Sequence, residues 1–493
     1  MNKRIRRGMA AIALANAVIL NGLSGISIAL PAVAREFGLT STGLHWTAVG
    51  ALLPTATFSL LSGRLGDAFG RRRIFLLGMA VFGLSSLLCA VSPNVELLLV
   101  GRFAQGCGGA LALPLSLGNL SALVPGEQRG WAFGINTMIV AISGLIFPFL
   151  YGLIVDNIGW RWVFAFDIPA MAALMALALS SIPENLGKRP PHFDVLGCIL
   201  LFVGLCSMVF ALERRTNWGA ADYLVRVPLG FGLVCLFIFA RHELRRNFPL
   251  LELPLLRVRP VALTLLLLFE VVCVSIFVNF QLPVFLGHVQ NMGPLASSAA
   301  VGAASIGMIV ASPLAGRMAD QGKGWHVISA GLMAGGVAII GLCYALISGQ
   351  YVIVLVSMTL LGFCPALVYT PASVLVVSAL GSIRAGISTA LTVEAKQLGA
   401  TVGLASCQAL FTIFESRRRR DLLDSSDFDN RYLDGVLYNA HSAPEISGHP
   451  GHYVNHAVDR AFTLSFTLVL VGLAAALIVS ALIALFQLRG AKR

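Results

Sequence analysis

Long apolar segments separated by short polar ones dominate this chain. Fourteen of the segments approach or exceed the roughly 20 residues that an α-helix needs to cross a hydrocarbon core of about 30 Å. They lie at residues 9–31, 44–63, 74–92, 96–117, 131–153, 162–182, 195–212, 224–240, 261–286, 298–316, 326–346, 351–374, 386–414 and 462–487. The pattern therefore predicts an all-α polytopic membrane protein with fourteen crossings and both termini on the same side.

Basic residues mark one side of this predicted topology. Loops on the cytoplasmic side of a membrane carry an excess of Lys and Arg, so we expect both termini in the cytoplasm and the chain in a bacterial-type inner membrane. The first apolar run follows a basic start and has no A-x-A-like cleavage site, so we interpret it as a span, not a signal peptide. The basic residues are Lys3, Arg4, Arg6, Arg7, Arg71 to Arg73, Arg241, Arg245, Arg246, Arg257, Arg259, Arg489, Lys492 and Arg493.

One long polar segment, 415–460, departs from the rule. It falls on the outer side but begins with four arginines, Arg417 to Arg420, followed by several aspartates. Long loops obey the positive-inside rule poorly. We therefore predict an outer loop that is partly ordered, with a short helix, and has no assigned role.

Composition supports the membrane class and excludes several functions. Of the 493 residues, 57% are hydrophobic and 12% are charged, whereas soluble chains are about a quarter charged. The net charge of +12 is explained by topology, so we expect no nucleic acid as partner. The nine cysteines lie in apolar segments without metal-ligand spacing, so no metal and no cofactor are expected. We find neither a Walker motif nor a nucleophile–base pair, which argues against a primary pump and an enzyme.

A charged motif occurs twice. GRLGDAFGRRR (63–73) follows the second span, and a shorter echo, GRMADQGKG (316–324), follows the tenth. Internal repeats are the architecture of secondary transporters, whose substrate site lies between the repeats. We therefore predict an N-terminal six-helix bundle at 1–183, a linker with two inserted helices at 184–260, and a C-terminal six-helix bundle at 261–493.

Two of the motifs resemble signatures of the major facilitator superfamily. The first signature, G-x-L-x-D-x-x-G-R-[RK], is matched by Gly63, Leu65, Asp67, Gly70, Arg71 and Arg72. The second, R-x-x-Q-G-x-G-x-A, is matched in the fourth span by Arg102, Gln105, Gly106, Gly108 and Ala110. GWRWVF (159–164) and PLLELPLLR (249–257) are similar to segments of the fourteen-span drug:proton antiporter branch. The resemblance covers essentially the whole chain and implies two pseudo-symmetric six-helix bundles plus two inserted helices.

The first motif is interpreted as a gate. Glycine at position 63 allows helix backbones to approach closely. Asp67 is placed to accept hydrogen bonds from a neighbouring helix N-terminus or an arginine. We expect Asp67, with Gly70, Arg71 and Arg72, to hold the two halves together on the cytoplasmic side in one state and to release them in the other. The alternative is that the arginines only set the topology.

Ionisable residues inside spans are costly, so each needs a partner or a role. The resemblance implies that Arg102, with Gln105 one turn on, faces a central cavity and serves proton coupling; a structural hydrogen bond to a neighbouring helix is the alternative. Glu270 and Glu394 are candidate proton carriers, with an ion pair as the alternative for Glu270. We expect Lys396 to serve helix packing and Asp167, at a position where the branch carries an amide, to be structural.

Candidate substrate contacts complete this set. Gln281 and Phe277 share a helical face with Glu270, Gln397 shares one with Glu394, and Asn21 lies in the first span. The aromatics of the ninth span are placed to stack on a planar substrate, although plain packing or lipid contact is the more frequent reason for such a stripe.

Two departures from the antiporter pattern bear on direction. The first span of the branch carries an acid upstream of ALP, and in the aligned stretch NGLSGISIALP (21–31) that position is Gly22. The glycine-rich motif of the fifth span keeps Gly134, Pro148 and Gly152, whereas Ser143, Phe147 and Tyr151 replace glycines. Both changes weaken the case for drug:proton exchange.

We therefore predict a monomeric secondary transporter of a small organic solute that works by alternating access in the lipid bilayer. The leading expectation is proton-coupled efflux of amphipathic or aromatic compounds. The alternative is uptake of a metabolite such as a riboflavin-like aromatic vitamin, and a remote alternative is a membrane sensor that transports nothing.

Overall fold

The computed structural model describes residues 3–38, 46–47, 50–184, 194–218, 223–245, 253–290, 292, 294–380, 385–423 and 451–490, and in this part of the chain every regular element is helical. Each of the fourteen predicted segments contains a helix. The helices are α1 (Lys3–Phe37), α2 (Leu52–Phe69), α3 (Arg71–Ala90), α4 (Val95–Leu123), α5 (Arg129–Asn157), α6 (Arg161–Ser181), α7 (Val195–Trp218), α8 (Tyr223–Arg245), α9 (Arg259–His288), α10 (Pro294–Asp320), α11 (Gly324–Ser348), α12 (Tyr351–Leu380), α13 (Ala385–Leu398), α14 (Leu404–Leu423) and α15 (Gly451–Gly490). A π-helical turn, Gly399–Gly403, joins α13 to α14.

The predicted all-α membrane class is confirmed. Eleven helices in the described part of the chain are long and apolar enough to cross a membrane. Hydrocarbon offers no partner to backbone N–H and C=O groups, so spanning segments must form these bonds internally, as helices do. The apolar sequence therefore dictates both the burial of these segments and their helical conformation.

The first six helices pack around one apolar core. Helix α1 contacts α4, α5 and α6, and α3 lies between α4 and α6. Phe75, Phe82 and Phe133 are among its fully buried side chains. A Cβ on Gly108 would lie 2.6 Å from the backbone nitrogen of Phe82. The second motif of the sequence therefore keeps glycine where α4 meets the backbone of α3.

Helices α9 to α15 pack around a second core. Helix α12 contacts α9, α10 and α11, and α15 packs on α11 and α14. The inserted helices α7 and α8 pack on each other, and α7 also contacts α2 and α14. This packing places the inserted pair beside both bundles. The predicted bundle boundaries at residues 183 and 261 stay predictions.

The first charged motif, which follows the second predicted span, does not form a loop and lies almost entirely in two helices. Residues 63–69 form the last turns of α2, and Arg71 already begins α3. Gly70 alone breaks the helix, with φ of +104°, a conformation that a side chain would strain. The echo behaves in the same way: α10 runs to Asp320 and α11 begins at Gly324.

The predicted outer loop, 415–460, is also shorter than expected. Helix α14 continues to Leu423 and α15 begins at Gly451, so 415–423 and 451–460 are helical. Residues 424–450 lie outside the described part of the chain.

An ion pair joins α1 to α6 at the end of the bundle opposite the charged motif. The Arg161 guanidinium donates to both carboxylate oxygens of Glu36, at 2.6 and 2.8 Å, and the Trp160 indole donates to Glu36 Oε2 at 2.7 Å. The hydrogen bonds from Arg161 and Trp160 lower the pKa of Glu36. This contact therefore stabilises the fold above the ordinary pKa of glutamate, and the stabilisation is lost as the pH falls through the lowered pKa.

We predict that the unfolding temperature of the solubilised protein falls on acidification and that part of this fall is absent in Glu36→Gln. The effect is about 1 kcal/mol or less, because the pair is exposed. Thermal unfolding followed over a pH series measures it. If the unfolding temperatures of wild type and Glu36→Gln change in parallel with pH, the Glu36–Arg161 ion pair contributes nothing to stability.

Candidate functional site

A buried polar network centres on Arg102 of α4, whose exposed fraction is 0%. Its guanidinium donates to the carbonyl oxygens of Gly22 at 3.1 Å, Leu23 at 2.6 Å and Thr47 at 3.3 Å. It also donates to Gln105 Oε1 at 2.8 Å. Backbone carbonyls of α1 thus hold the arginine, which confirms the hydrogen bonding to a neighbouring helix that the sequence offered as an alternative and leaves proton coupling open.

Gln105 extends the network to α3. Its amide donates to Ser86 Oγ at 2.7 Å, and Ser86 donates to the carbonyl oxygen of Phe82 at 2.9 Å. Arg102 and Gln105 lie three residues apart, the spacing that places two side chains on one helical face. Together they connect α1, α3 and α4 through hydrogen bonds in an apolar interior.

Asn21, a predicted substrate contact, forms hydrogen bonds within the N-terminal bundle. Its amide donates to Ser143 Oγ of α5 and to the carbonyl oxygen of Ala17, both at 2.7 Å. A second amide pair, Asn16 to Asn136 at 2.9 Å, also joins α1 to α5. Ser143, one of the residues that replace glycines in the fifth-span motif, is therefore the hydrogen-bond partner of Asn21.

Asp167 of α6 belongs to the same region, and sequence reasoning treated it only as structural. Its exposed fraction is 1%, and the Arg102 guanidinium and the hydroxyls of Ser86 and Tyr151 are its polar neighbours. The available signal was an acid in an apolar span, but no sequence spacing brings α6 to α4.

The two candidate glutamates of the C-terminal helices differ in their partners. Glu270 of α9 accepts a hydrogen bond from Ser480 Oγ of α15 at 2.6 Å. Glu394 of α13 is buried, and both of its carboxylate oxygens lack a hydrogen-bond partner in the described structure. Lys396 lies 4.5 Å from the ring centroid of Tyr369, a cation–π contact that fits a packing role. Gln397 is half-buried on the same helix.

Two aromatics of α9, Phe277 and Phe285, lie in the packing arrangement that the sequence offered as the alternative to substrate contact. Phe277 is fully buried and packs edge-on against Phe466, with ring centroids 5.9 Å apart. Phe285 is buried among the same rings. These side chains fill the second core, since apolar rings gain most when they are removed from polar surroundings. Gln281, one turn from Phe277, is buried as well.

A contact between the two halves occurs at the end where the charged motifs lie. Asp320, from the echo motif, accepts hydrogen bonds from the backbone N–H groups of Gly130 at 2.7 Å and Trp131 at 2.8 Å. These residues begin α5, so the carboxylate caps the positive end of a helix dipole. The interaction that the sequence assigned to Asp67 is thus made by its echo.

The structure describes the residues of the first motif in part, and their gating role stays a prediction. The side chain of Asp67 lies outside the described residues, although its backbone belongs to α2. Arg72 donates to the carbonyl oxygen of Leu179 at the end of α6, so it ties together helices of its own half. Gly63 is buried in α2, and Gly70 separates α2 from α3. The Asn119 amide donates to the carbonyl oxygen of Arg71 at 3.4 Å.

Small residues allow the two halves to meet at this end. A Cβ on Gly316 of α10 would overlap the carbonyl oxygen of Gly130, and one on Gly130 would overlap that of Gly316. A Cβ on Gly134 would lie 2.5 Å from the carbonyl oxygen of Ser312. Helices α5 and α10 are therefore in backbone contact, and in the described residues no group of three His, Cys, Asp or Glu side chains is placed to hold a metal ion.

Comparison with known proteins identifies relatives of this arrangement. A family model described as Major Facilitator Superfamily matches residues 12–404. The chain is 29% identical over 387 residues to Multidrug resistance protein Stp of Mycobacterium tuberculosis (strain CDC 1551 / Oshkosh), covering 77% of this chain and 71% of that one. It is 29% identical over 386 residues to the Tetracenomycin C resistance and export protein of Streptomyces glaucescens, covering 77% and 71%.

A solved structure shares the fold. The human organic anion transporter MFSD10 (TETRAN) superposes with a TM-score of 0.59 at 14% identity, covering 95% of this chain and all of that one. At this identity the likeness concerns the fold alone.

We predict that Gly316→Ala destabilises the protein by about 1–3 kcal/mol, because the added methyl group has to separate α5 from α10. Gly152→Ala in α5 is the matched control, since a Cβ there meets no atom of the described residues within 4 Å. Unfolding temperatures of the two variants and the wild type measure the difference. Equal decreases of the unfolding temperature in both variants would show that α5 and α10 are not in tight backbone contact.

Proposed function

The chain belongs to the Major Facilitator Superfamily, and on that basis we propose that it exports amphipathic or aromatic compounds across the cytoplasmic membrane in exchange for protons. Membership in this family makes it a transporter and not an enzyme. We propose further that it works as a monomer with both termini in the cytoplasm, as the basic residues at the charged-motif end favour.

The observation that carries alternating access is the Asp320 contact. It joins two halves through two hydrogen bonds to backbone N–H groups, so it breaks as a unit when α5 and α10 separate. Hydrogen bonds to a charged acceptor are strong enough to hold a state, at about 1.5–3 kcal/mol, yet small enough to be released. Such a contact gives the transporter a closed state on one side of the membrane.

We propose that Asp67 forms the counterpart of this contact. It lies at the end of α2, as Asp320 lies at the end of α10, and α2 packs against α13 of the other half. Helix α13 begins at the same end of the molecule. The echo in sequence supports an equivalent role for the two aspartates.

Export is the direction that the relatives support. Two of them carry names of multidrug resistance and of resistance and export, and the vitamin-uptake alternative is not favoured. The departures at Gly22 and in α5, which suggested import, describe how the N-terminal bundle is packed and do not set a direction.

Glu394 is the acid of the C-terminal helices that best fits proton coupling. It is buried and has no hydrogen-bond donor among the described residues, and its helix packs on α2 and α4 of the other half. An ionised carboxylate there is costly, so its charge has to change or be paired during the cycle. Glu270 has the Ser480 hydroxyl as partner, which fits a structural role.

We predict that purified protein in liposomes moves ethidium when a pH gradient is imposed and does not move riboflavin. Fluorescence of the two compounds follows both fluxes. Asp320→Ala is expected to slow ethidium, since it removes the contact between the halves, and Asp320→Asn less so, because the amide oxygen still accepts a hydrogen bond. Riboflavin flux without ethidium flux would reject export.

We predict that Glu394→Gln abolishes the response of ethidium flux to the pH gradient. The amide has the same shape but cannot exchange a proton. Glu270→Gln is the matched control, and it is expected to keep the response because the glutamine oxygen still accepts from Ser480. The reverse result, with only Glu270→Gln inactive, would assign proton coupling to α9.

A further inference from the structure

Three positions at which this chain departs from the antiporter pattern meet at one place. They are Gly22 of α1, Tyr151 of α5 and Asp167 of α6. A Cβ on Gly22 would lie 2.7 Å from Asp167 Oδ2 and 2.8 Å from Phe82 Cζ. The carboxylate from α6 therefore occupies the space that a side chain on α1 would need.

Tyr151 closes the same site from α5. Its ring lies against Gly25 so closely that a Cβ there would overlap it, and Gly25 follows Gly22 at the spacing of one helical face. The tyrosine is buried, and its hydroxyl has no hydrogen-bond partner in the described structure. Two glycines of α1 thus make room for a tyrosine and an aspartate from other helices.

The donors beside Asp167, on Arg102, Ser86 and Tyr151, are not placed for hydrogen bonds of normal geometry in the described structure. Neither oxygen accepts a hydrogen bond of normal geometry in the described residues. The neighbouring Arg102 directs its donors to the carbonyl oxygens of Gly22 and Leu23 and to Gln105. Placing an unpaired carboxylate in such surroundings costs far more than placing the neutral acid there.

The groups that face Asp167 come from four helices. They are Arg102 of α4, Ser86 and Cys89 of α3, and Tyr151 of α5, whereas α1 contributes the backbone around Gly22. Arg102 is the cation of this set. Its four described hydrogen bonds go to carbonyl oxygens and to Gln105, so forked pairing with the carboxylate requires the guanidinium to turn.

We propose that Asp167 is a proton-binding site of the N-terminal bundle and that Arg102 senses its charge. In the arrangement seen here the carboxyl holds a proton taken from the aqueous phase on the outer side, and Arg102 is bound to α1. When the O–H bond breaks, the proton leaves to water on the cytoplasmic side. Arg102 then turns from Gly22 and Leu23 to the carboxylate, which loosens α1 from α4.

This inference rests on the proposed proton coupling and deepens it, because it supplies the carboxylate that α1 lacks at Gly22. A proton site in α6 also accounts for the departures together. Position 22 has to be glycine because the carboxylate of Asp167, on α6, fills the space beside it. Tyr151 packs next to this carboxylate from α5. Neither change then indicates a loss of coupling.

Transport of Asp167→Asn in liposomes tests the proposal. A gradient of about one pH unit supports about a tenfold accumulation when one proton exchanges for one substrate. We expect Asp167→Asn to lose this accumulation of ethidium while ethidium counterflow at equal pH stays within about twofold of wild type. Glu270→Gln, which replaces a half-buried acid that has its own partner, is expected to keep both activities.

A swap separates proton binding from simple packing. Gly22→Asp with Asp167→Ala returns a carboxylate to α1 and removes one of the two side chains that would collide with it; the other, Phe82, has to shift. We expect the double variant to recover gradient-driven accumulation relative to Asp167→Ala alone. Failure of the swap in a stably folded double variant would contradict the relocation.

Infrared difference spectra between acidic and alkaline pH report proton binding without transport. We expect a protonated-carboxyl band that is absent in Asp167→Asn and present in Glu270→Gln. If wild type moves no ethidium, the proposed function fails and this band alone decides the inference. An unchanged band, retained gradient-driven accumulation, or loss of counterflow together with accumulation in Asp167→Asn would each overturn it.

Discussion

The cost of an unpaired polar group in an apolar interior shapes this molecule. It requires the backbone of each crossing to be helical, because only a helix satisfies its own N–H and C=O groups within one segment. The same cost applies to Arg102, which is completely buried. Its guanidinium is held by carbonyl oxygens of α1 and by Gln105, and this network positions α1 against α4.

Close approach of helices is the second requirement, and glycine meets it in two kinds of place. Within the N-terminal helices, Gly108 lies against the backbone of α3. Between the halves, Gly130 and Gly316 bring α5 and α10 together. Lipid tails are as apolar as leucine, so packing and hydrogen bonds, more than exclusion of water, hold helices together in a membrane. The Asp320 contact therefore lies where backbones already touch.

Particular residues show how far sequence reasoning reached. Arg102 and Gln105 were recognised as one cluster because their spacing places them on one helical face, and the structure joins them. The gate motif was recognised, but the contact it suggested for Asp67 is seen at Asp320. Phe277 was considered as a substrate contact and lies in a core. A stripe of aromatics has the same spacing whether it faces a substrate or a neighbouring helix, so the pattern could not separate the two.

The sequence by itself determined the class, the helices and the family, because apolar length and local spacing are properties of one segment at a time. It also showed which acids lie inside spans. Only the tertiary structure decided the partners of those acids. The separate helices α1, α5 and α6 bring Gly22, Tyr151 and Asp167 into contact, and such proximity arises from the packing of distant segments, which no local pattern records.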